Sequence, residues 1–479
     1  MKNAGLTGLF FLALIICSCA KLDKGIPITT SSNGARDLFV QGRDLYENIE
    51  LSAAARLFDQ AIAEDSTFAL AYLYRAFAGG GAQVVSTNLG KAQALAAKVS
   101  EGEKALIDYM QASSDANRPK QKEHLDKLLS MFPEDKRVRM YEGLYFQTIG
   151  DNKSALDSYT KATEMDSTYA AVYNLIGYVN IAQGKLDAAE KPFKKYISLQ
   201  PNKPNPYDSY AELLLKMGRY DESIAQYQKA YDTDNSFIGS LSGIANGYLF
   251  KGDFAKAREY YQMHSDKATQ VNEKLTAMYN KALSFMYENK LDDAIKAFEE
   301  RRAFAEKEKQ SVAVVYSYAY EGFALSGMGK ASDGLKKYEE AISTIGKVDL
   351  TPRQKENLQV YSNFWRAFGN AQGNKLDKAK ASADLFRKDV EARNNPDEKT
   401  TLEWTLALID YKGGQYDAAI ERLAKQQPNP WVMFHQGQAL LKKGNKEAAK
   451  SLFTKILNWN QNSIYLAAVW SRTHKELGK

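Results

Sequence analysis

Four glycines, Gly150, Gly184, Gly218 and Gly252, stand 34 residues apart in a chain of 479. Ala155, Ala189, Ser223 and Ala257 follow them by five positions, and Tyr159, Phe193, Tyr227 and Tyr261 follow those by four. Three columns held in phase over four cycles mark a repeated unit, and a unit of this length buries its apolar face only by stacking on neighbouring copies. Glycine suits a turn between helices, where positive φ carries no steric cost. The small residue lets two helices approach closely, and the aromatic one turn later fills the space beyond. No strand-like alternation competes, so the reading is all-α.

These columns resemble the tetratricopeptide repeat, a 34-residue helix hairpin with a small-residue and aromatic signature. "NLIGYVNIAQGKLDAAEKPFKKYISLQP" (174–201) is a clear copy, flanked by "YFQTIGDNKSALDSYTKATEMDS" (145–167) and "LLLKMGRYDESIAQYQKAYDTDNS" (213–236). Upstream, Gly42, Ala54, Phe58 and Ala61 repeat the pattern. Downstream the phase drifts, but Ala294, Gly334, Ala379, Ala419 and Ala449 keep the small position. Two stretches between 75 and 134 match poorly and are assigned as hairpins on helical content and spacing. The resemblance implies a right-handed α-solenoid of ten or eleven hairpins. Its expected divisions are divergent repeats over 35–136, regular ones over 137–272, longer-period ones over 273–462, and a capping helix over 463–479. Pro192 falls near the start of a second helix, where a slight bend is expected rather than a break.

The amino terminus carries a separate signal. Lys2 is followed by an apolar run from Leu6 to Cys17, too short for the roughly 20 residues that span a bilayer. A positive start and a short apolar core describe a secretory signal over residues 1–18. "ICSC", Ile16-Cys17-Ser18-Cys19, is similar to the lipobox of bacterial lipoproteins. That resemblance implies lipidation of Cys19 and loss of Cys17 with the signal. The mature chain would then hold no free thiol, excluding cysteine chemistry and disulfides. Residues 19–34, polar and aperiodic, read as a flexible tether. Ala20 stands where enteric lipoproteins retained in the inner membrane carry Asp, which favours the outer membrane.

Composition excludes more than it assigns. The formal charge is +6, from 64 basic and 58 acidic residues, with no long basic run of the kind that binds nucleic acid. The chain has no GxxxxGK[ST], HExxH or GxSxG, and no GxGxxG after a strand. His124, His264, His435 and His474 are scattered without metal-ligand spacing. Gly79-Gly80-Gly81 lacks the lysine of a phosphate loop. The expectation is therefore a protein that is not an enzyme and that uses no metal and no cofactor.

A stack of hairpins presents its first helices on the inner face. In the central repeats that face is expected to carry Asn174, Tyr178, Asn205, Asp208, Glu212 and Asn246, together with Arg137. In tetratricopeptide domains that hold peptides, asparagines here clamp the main chain, which the resemblance extends to Asn174 and Asn246. Further along, the same column turns aromatic, with Tyr316, Trp404, Tyr411 and Trp431. Those rings either line a groove or pack helix on helix. The leading functional expectation is a lipid-anchored adaptor in the envelope of a Gram-negative bacterium, holding a protein or peptide partner on its concave face. The alternative is a glycan-capturing outer-membrane lipoprotein, similar to the starch-binding lipoproteins of Bacteroidota in length, anchoring and repeat content.

Overall fold

A computed structural model describes residues 25–478. Cys17, Cys19 and the signal lie outside the described residues. The chain divides into two compact units at 185/186.

Within unit 1, α1 (Asn33–Glu47), α3 (Ala69–Phe77), α5 (Glu101–Ser114) and α7 (Lys136–Thr148) are first helices. Each packs on its successor: α2 (Leu51–Glu64), α4 (Gly81–Leu95), α6 (Arg118–Met131) and α8 (Asn152–Met165). The unit ends with α9 (Ala170–Ala182). Unit 2 opens with α10 (Leu186–Leu199), which runs through Pro192, and continues with α11 (Pro204–Lys216), α12 (Tyr220–Thr233), α13 (Gly239–Lys251) and α14 (Phe254–Lys267). The helices then lengthen: α15 (Val271–Tyr287), α16 (Leu291–Lys307), α17 (Ser311–Gly327), α18 (Ala331–Ile345), α19 (Pro352–Gln372) and α20 (Leu376–Arg393). The last are α21 (Pro396–Lys412), α22 (Tyr416–Ala424), α23 (Pro430–Lys442), α24 (Lys446–Leu457) and α25 (Ile464–Glu476). Among the described residues unit 1 holds four complete hairpins and unit 2 seven, with α9 and α10 standing on either side of the division. No described helix is long and apolar enough to cross a membrane.

The repeat columns work as their chemistry requires. Gly150, Gly184, Gly218 and Gly252 all hold φ between +71° and +87° at the hairpin turn; Asn289 and Asn374 do the same work at φ +60° and +58°. Ala155, Ala189, Ser223 and Ala257 are fully buried. The aromatic column packs against a first helix, that of its own hairpin or of the next. A Cβ on Gly143 would meet the Tyr159 ring at 2.2 Å, and one on Gly243 would meet Tyr227 at 2.4 Å.

Three features add to the sequence reading. The division into compact units at 185/186 falls inside the regular repeats, whereas the expected bounds at 136 and 272 mark changes in repeat regularity. Repeat regularity records how each hairpin closes, whereas compactness records which hairpins touch.

The expected tether is, from Gly25 onward, a pinned strap. Ile26 N–H donates to Asp135 (2.9 Å), the N-cap of α7; Thr29 donates through N–H (2.7 Å) and Oγ1 (2.6 Å) to Glu103 of α5. Thr30 Oγ1 (2.6 Å) and Ser31 N–H (2.9 Å) donate to Asp65, just before α3. Ser32 then caps α1. The strap therefore crosses the starts of all four first helices. Burial pushes the Asp65 carboxyl up, but hydrogen bonds from Thr30, Thr67 and Ser31 outweigh it and hold it well below the usual carboxylate range.

The third feature is α25, which covers more than the last hairpin. It packs on α23 and α24 and also on α15 and α17, burying Ile464, Leu466, Ala467, Ala468 and Val469. A terminal cap keeps one polar outer face; α25 has apolar residues to bury on several sides and goes inside.

Candidate binding faces of the two units

In unit 2 the first helices form the inner face: α11 contacts α13, and α17, α19, α21 and α23 contact one another in succession. Residues 459–477 fill it. Asn460 Oδ1 accepts from Tyr220 Oη at 2.7 Å, although 240 residues separate the two. Asn462 Nδ2 donates to Tyr261 Oη (3.1 Å) and to Asn280 Oδ1 (3.4 Å). Trp470 lies against Tyr287 (ring centroids 5.5 Å apart) and Phe250 (6.3 Å). Arg472 donates to the carbonyl of Gly327 at the end of α17 (3.2 Å) and stacks over Phe434 at 4.4 Å. Seven hairpins thus curve far enough to bring the end of the chain back to α12.

This settles where the aromatic column points and what it meets. Trp431 is 3% exposed, packed against Phe323, Phe368 and His435 with centroids 4.1–5.4 Å away. Trp404 is half-buried, edge-on to Tyr465 of α25 at 5.7 Å, with its indole N–H buried and unpaired. Tyr316 stacks on Tyr320 (5.9 Å) and meets Trp365 edge-on (6.0 Å); burial pushes its hydroxyl up to about 12. Tyr411 sits beside Tyr416 and His435. Burial pushes the His435 imidazole down to about 3, and the nearby Arg472 adds to it. As an exposed groove, the aromatic column is corrected: its rings face inward, but α25 covers the face.

The polar candidates divide between the units. In unit 1, Asn174 is buried with an unpaired Oδ1, and Tyr178 is half-buried, both on α9. In unit 2, Asn205 Nδ2 donates to Tyr196 Oη (3.1 Å). Asp208 accepts from Ser240 Oγ (2.6 Å), which ties α11 to α13. Burial pushes its carboxyl up to about 6 against the opposing Ser240 bond, and Glu212 adds to the rise. Glu212 pairs with Lys216 at 3.6 Å. Asn246 accepts from Tyr261 Oη (2.6 Å), the hydroxyl that also receives Asn462. Asn205 thus spends its Nδ2, and Asn246 its Oδ1, on packing the helices together.

Unit 1 keeps its inner face open. Two cavities of about 230 and 280 Å³ lie along α1, α3, α5 and α7. Tyr74 and Tyr141, whose hydroxyls bond at 2.6 Å, line both and stand as the wall between them. Tyr109 Oη donates to the carbonyl of Tyr141 at 3.0 Å and holds that wall upright. The larger cavity is mostly apolar, with Leu73, Phe77, Met110, Met140 and Leu144 around it. The smaller is charged: Arg43 stacks on Phe39 with its Nε buried and unpaired, while Arg137 donates to Glu47 at 2.7 Å. Ile26 and Ile28 of the strap form one side of it. Burial pushes the Tyr46 hydroxyl beside the larger cavity up to about 12, the Tyr74 and Glu47 charges adding to it.

Of these residues only Arg137 was among the inward candidates. Tyr74 and Tyr109 stand on α3 and α5, beside and within the stretch of poorest repeat match, which offered no columns to measure from. The recurrence of tyrosine at Tyr74 and Tyr141, 67 residues or nearly two repeats apart, was the available signal. Among the described residues no three His, Cys, Asp or Glu side chains converge to hold a metal ion.

Tetratricopeptide repeat family models match residues 141–204, and also 205–237 and 432–463. Anaphase-promoting complex subunit 3 of Schizosaccharomyces pombe is 24% identical over 212 residues, 44% of this chain and 30% of that protein. Superkiller complex protein 3 of Mus musculus is 26% identical over 113 residues, 24% of this chain and 7% of that protein. The chain thus spans under a third of the length of these curated relatives. Among solved structures, YrrB, described as a repeat protein of this kind with an unusual peptide-binding site, is 16% identical (TM-score 0.30; 38% of this chain, 91% of that one). PilW, a type IV pilus biogenesis factor, is 14% identical (TM-score 0.36; 43% and 94%).

Proposed function

We propose that this chain is a lipid-anchored scaffold of the bacterial cell envelope that holds a polypeptide partner on the inner face of unit 1. Tetratricopeptide repeats and a helix-hairpin fold are consistent with a protein-binding scaffold, and the first curated relative is by name a subunit of a complex. The observation that carries the choice of face is α25. It fills the inner face of unit 2, while the cavities around Tyr74 and Tyr141 stay open. The apolar cavity is sized for one large side chain, which anchors more binding energy than a flat contact does. The "ICSC" motif supports attachment through Cys19, and Ala20 supports the outer membrane. The aromatic residues that would serve a sugar are under α25, which removes the platform on which a glycan-capturing protein would depend.

The test uses the intact lipidated protein as bait in detergent-solubilised envelopes. Met110→Trp fills the apolar cavity and Arg43→Ala empties the charged one. Both should lose a partner that the wild type recovers, with melting unchanged. Glu212→Ala, on the half-buried polar face of unit 2, should keep it. Loss with Glu212→Ala and retention with Met110→Trp would move the site to α11 and α13.

A further inference from the structure

We infer that the edge of unit 1 where its first helices begin, at the turns before α3, α5 and α7, lies against the lipid surface. This inference rests on the lipidation of Cys19 put forward above. Its physical basis is the strap. From Gly25 to Ser32 the chain is fixed to that edge by charge-assisted hydrogen bonds to three carboxylates, Asp135, Glu103 and Asp65. Ile26 and Ile28 pack on the core of unit 1, and Pro27 lies 3.6 Å from the Cβ position of Gly102. Hydrogen bonds to charged groups are stronger than those between neutral ones, so three acting together hold the strap in place.

What is left between lipid and strap is short. Six residue steps from Cys19 to Gly25 reach at most about 20 Å, even fully extended. The anchor therefore holds the start of α7 within that distance of the bilayer. The opposite edge, where the first helices end, is farther by one helix length, about 20 Å for the 14 residues of α5. A tether free as far as residue 34 would reach past that length with slack; one fixed from residue 25 spans it only when fully extended, at a cost in chain entropy that favours the edge carrying the strap. Lys98 and Lys104 stand exposed at this edge, suited to anionic headgroups. Because the lipid-linked end enters at α7 and the strap runs back to α1, a pull on the anchor loads all four hairpins of unit 1.

The experiment places a fluorescent donor at either end of α5, by Lys104→Cys and Ser114→Cys, both exposed positions, in the full lipidated chain. Acylated Cys19 leaves the introduced thiol as the only reactive one. The protein is reconstituted into phosphatidylethanolamine–phosphatidylglycerol vesicles carrying a headgroup acceptor. Intact mass and vesicle flotation first establish the acyl chains. Ten residues of helix separate the two labels by about 15 Å, so energy transfer should be about two-fold higher from position 104 than from 114. Equal transfer in an acylated protein overturns the orientation and leaves the anchor standing. A Cys19 without acyl mass removes the anchor, and the orientation with it. Inserting about 20 Gly-Ser residues after Lys24, a flexible coil, should equalise the two positions. A difference that survives the insertion would show that the short tether is not its cause, and would overturn the inference too.

Discussion

Unit 1 and unit 2 are built from the same hairpin, yet one leaves its inner face open and the other closes around its own end. In unit 1, Tyr74 of α3 and Tyr141 of α7 bond through their hydroxyls, leaving cavities on both sides of the pair. In unit 2 the equivalent surface is aromatic, and Tyr465, Trp470 and Arg472 of α25 complete it. The lesson is that an aromatic inner column in a solenoid does not by itself identify a ligand site. An exposed apolar surface of that size is a liability unless something covers it, and here the occupant is supplied in cis.

The sharpest break of this comparison is to remove the occupant. A chain ending at Asn462 lacks the buried Ile464, Leu466 and Val469. At roughly 1.5–3 kcal/mol per buried side chain, the loss is about 5 kcal/mol or more, confined to unit 2. Hydrogen exchange should rise in α15, α17 and α23 and stay unchanged in α7. Protection retained in α15 would mean that α25 is only a lid on a self-sufficient groove. Next in size is Trp431→Ala, which empties a site in the Phe323–Phe368 cluster and should cost about 3–5 kcal/mol. Chemical unfolding should then show unit 2 melting earlier, with the unit 1 transition fixed. A full-strength melt would place Trp431 outside the core.

Acid separates the units more gently. The folded-state carboxyl of Asp208, at about 6, lies above its ordinary 3.8. The folded state therefore holds this proton more tightly, and its contribution to stability falls as pH rises from about 4 to 6, then stays flat. Asp208→Asn, whose amide oxygen still accepts from Ser240, should stabilise unit 2 by about 1–3 kcal/mol at pH 7 and by almost nothing at pH 4. An equal gain at both pH values would exclude desolvation of the charge as the cause. Asp65 in unit 1 has the opposite sign. Its folded value lies below 3.8, so its contribution is present above that pH and is lost as pH falls through the depressed value. Ser31 amide exchange should accelerate there while α7 remains protected; an amide indifferent to acid would mean that the strap is held by its isoleucines alone. The smallest effect belongs to Tyr141→Phe. Losing one hydroxyl bond should cost about 0.5–1.5 kcal/mol, seen as a small shift in the unit 1 melt. A larger drop would make the tyrosine wall structural rather than part of a binding face.

Most of the hairpin chemistry was legible in advance. The glycine turn, the buried alanine and the aromatic above it are local consequences of residue size and φ, and they repeat wherever the residues repeat. Even the drifting copies keep Ala294, Ala379 and Ala419 fully buried. The inner-face ruler placed Trp404, Trp431, Asn246 and Asp208 on first helices correctly, because side-chain direction on a helix follows from spacing within one repeat. It could not say that Asn246 is already bonded to Tyr261 or that α25 lies over Trp431. It was also blind to Tyr74 and Tyr109, since the divergent hairpins offered no columns to measure from.

Sequence alone determined the all-helical hairpin unit and which side of the regular hairpins faces inward. Those properties depend on contacts at separations of about one repeat, and the period carries them. Only the tertiary structure decided what meets each inward face. Asn460 reaches Tyr220 across 240 residues, and Ile26 reaches Asp135 across 109. Both contacts depend on curvature accumulated over many hairpins, where a small rotation per repeat adds up to whether the chain's ends return to its own surface.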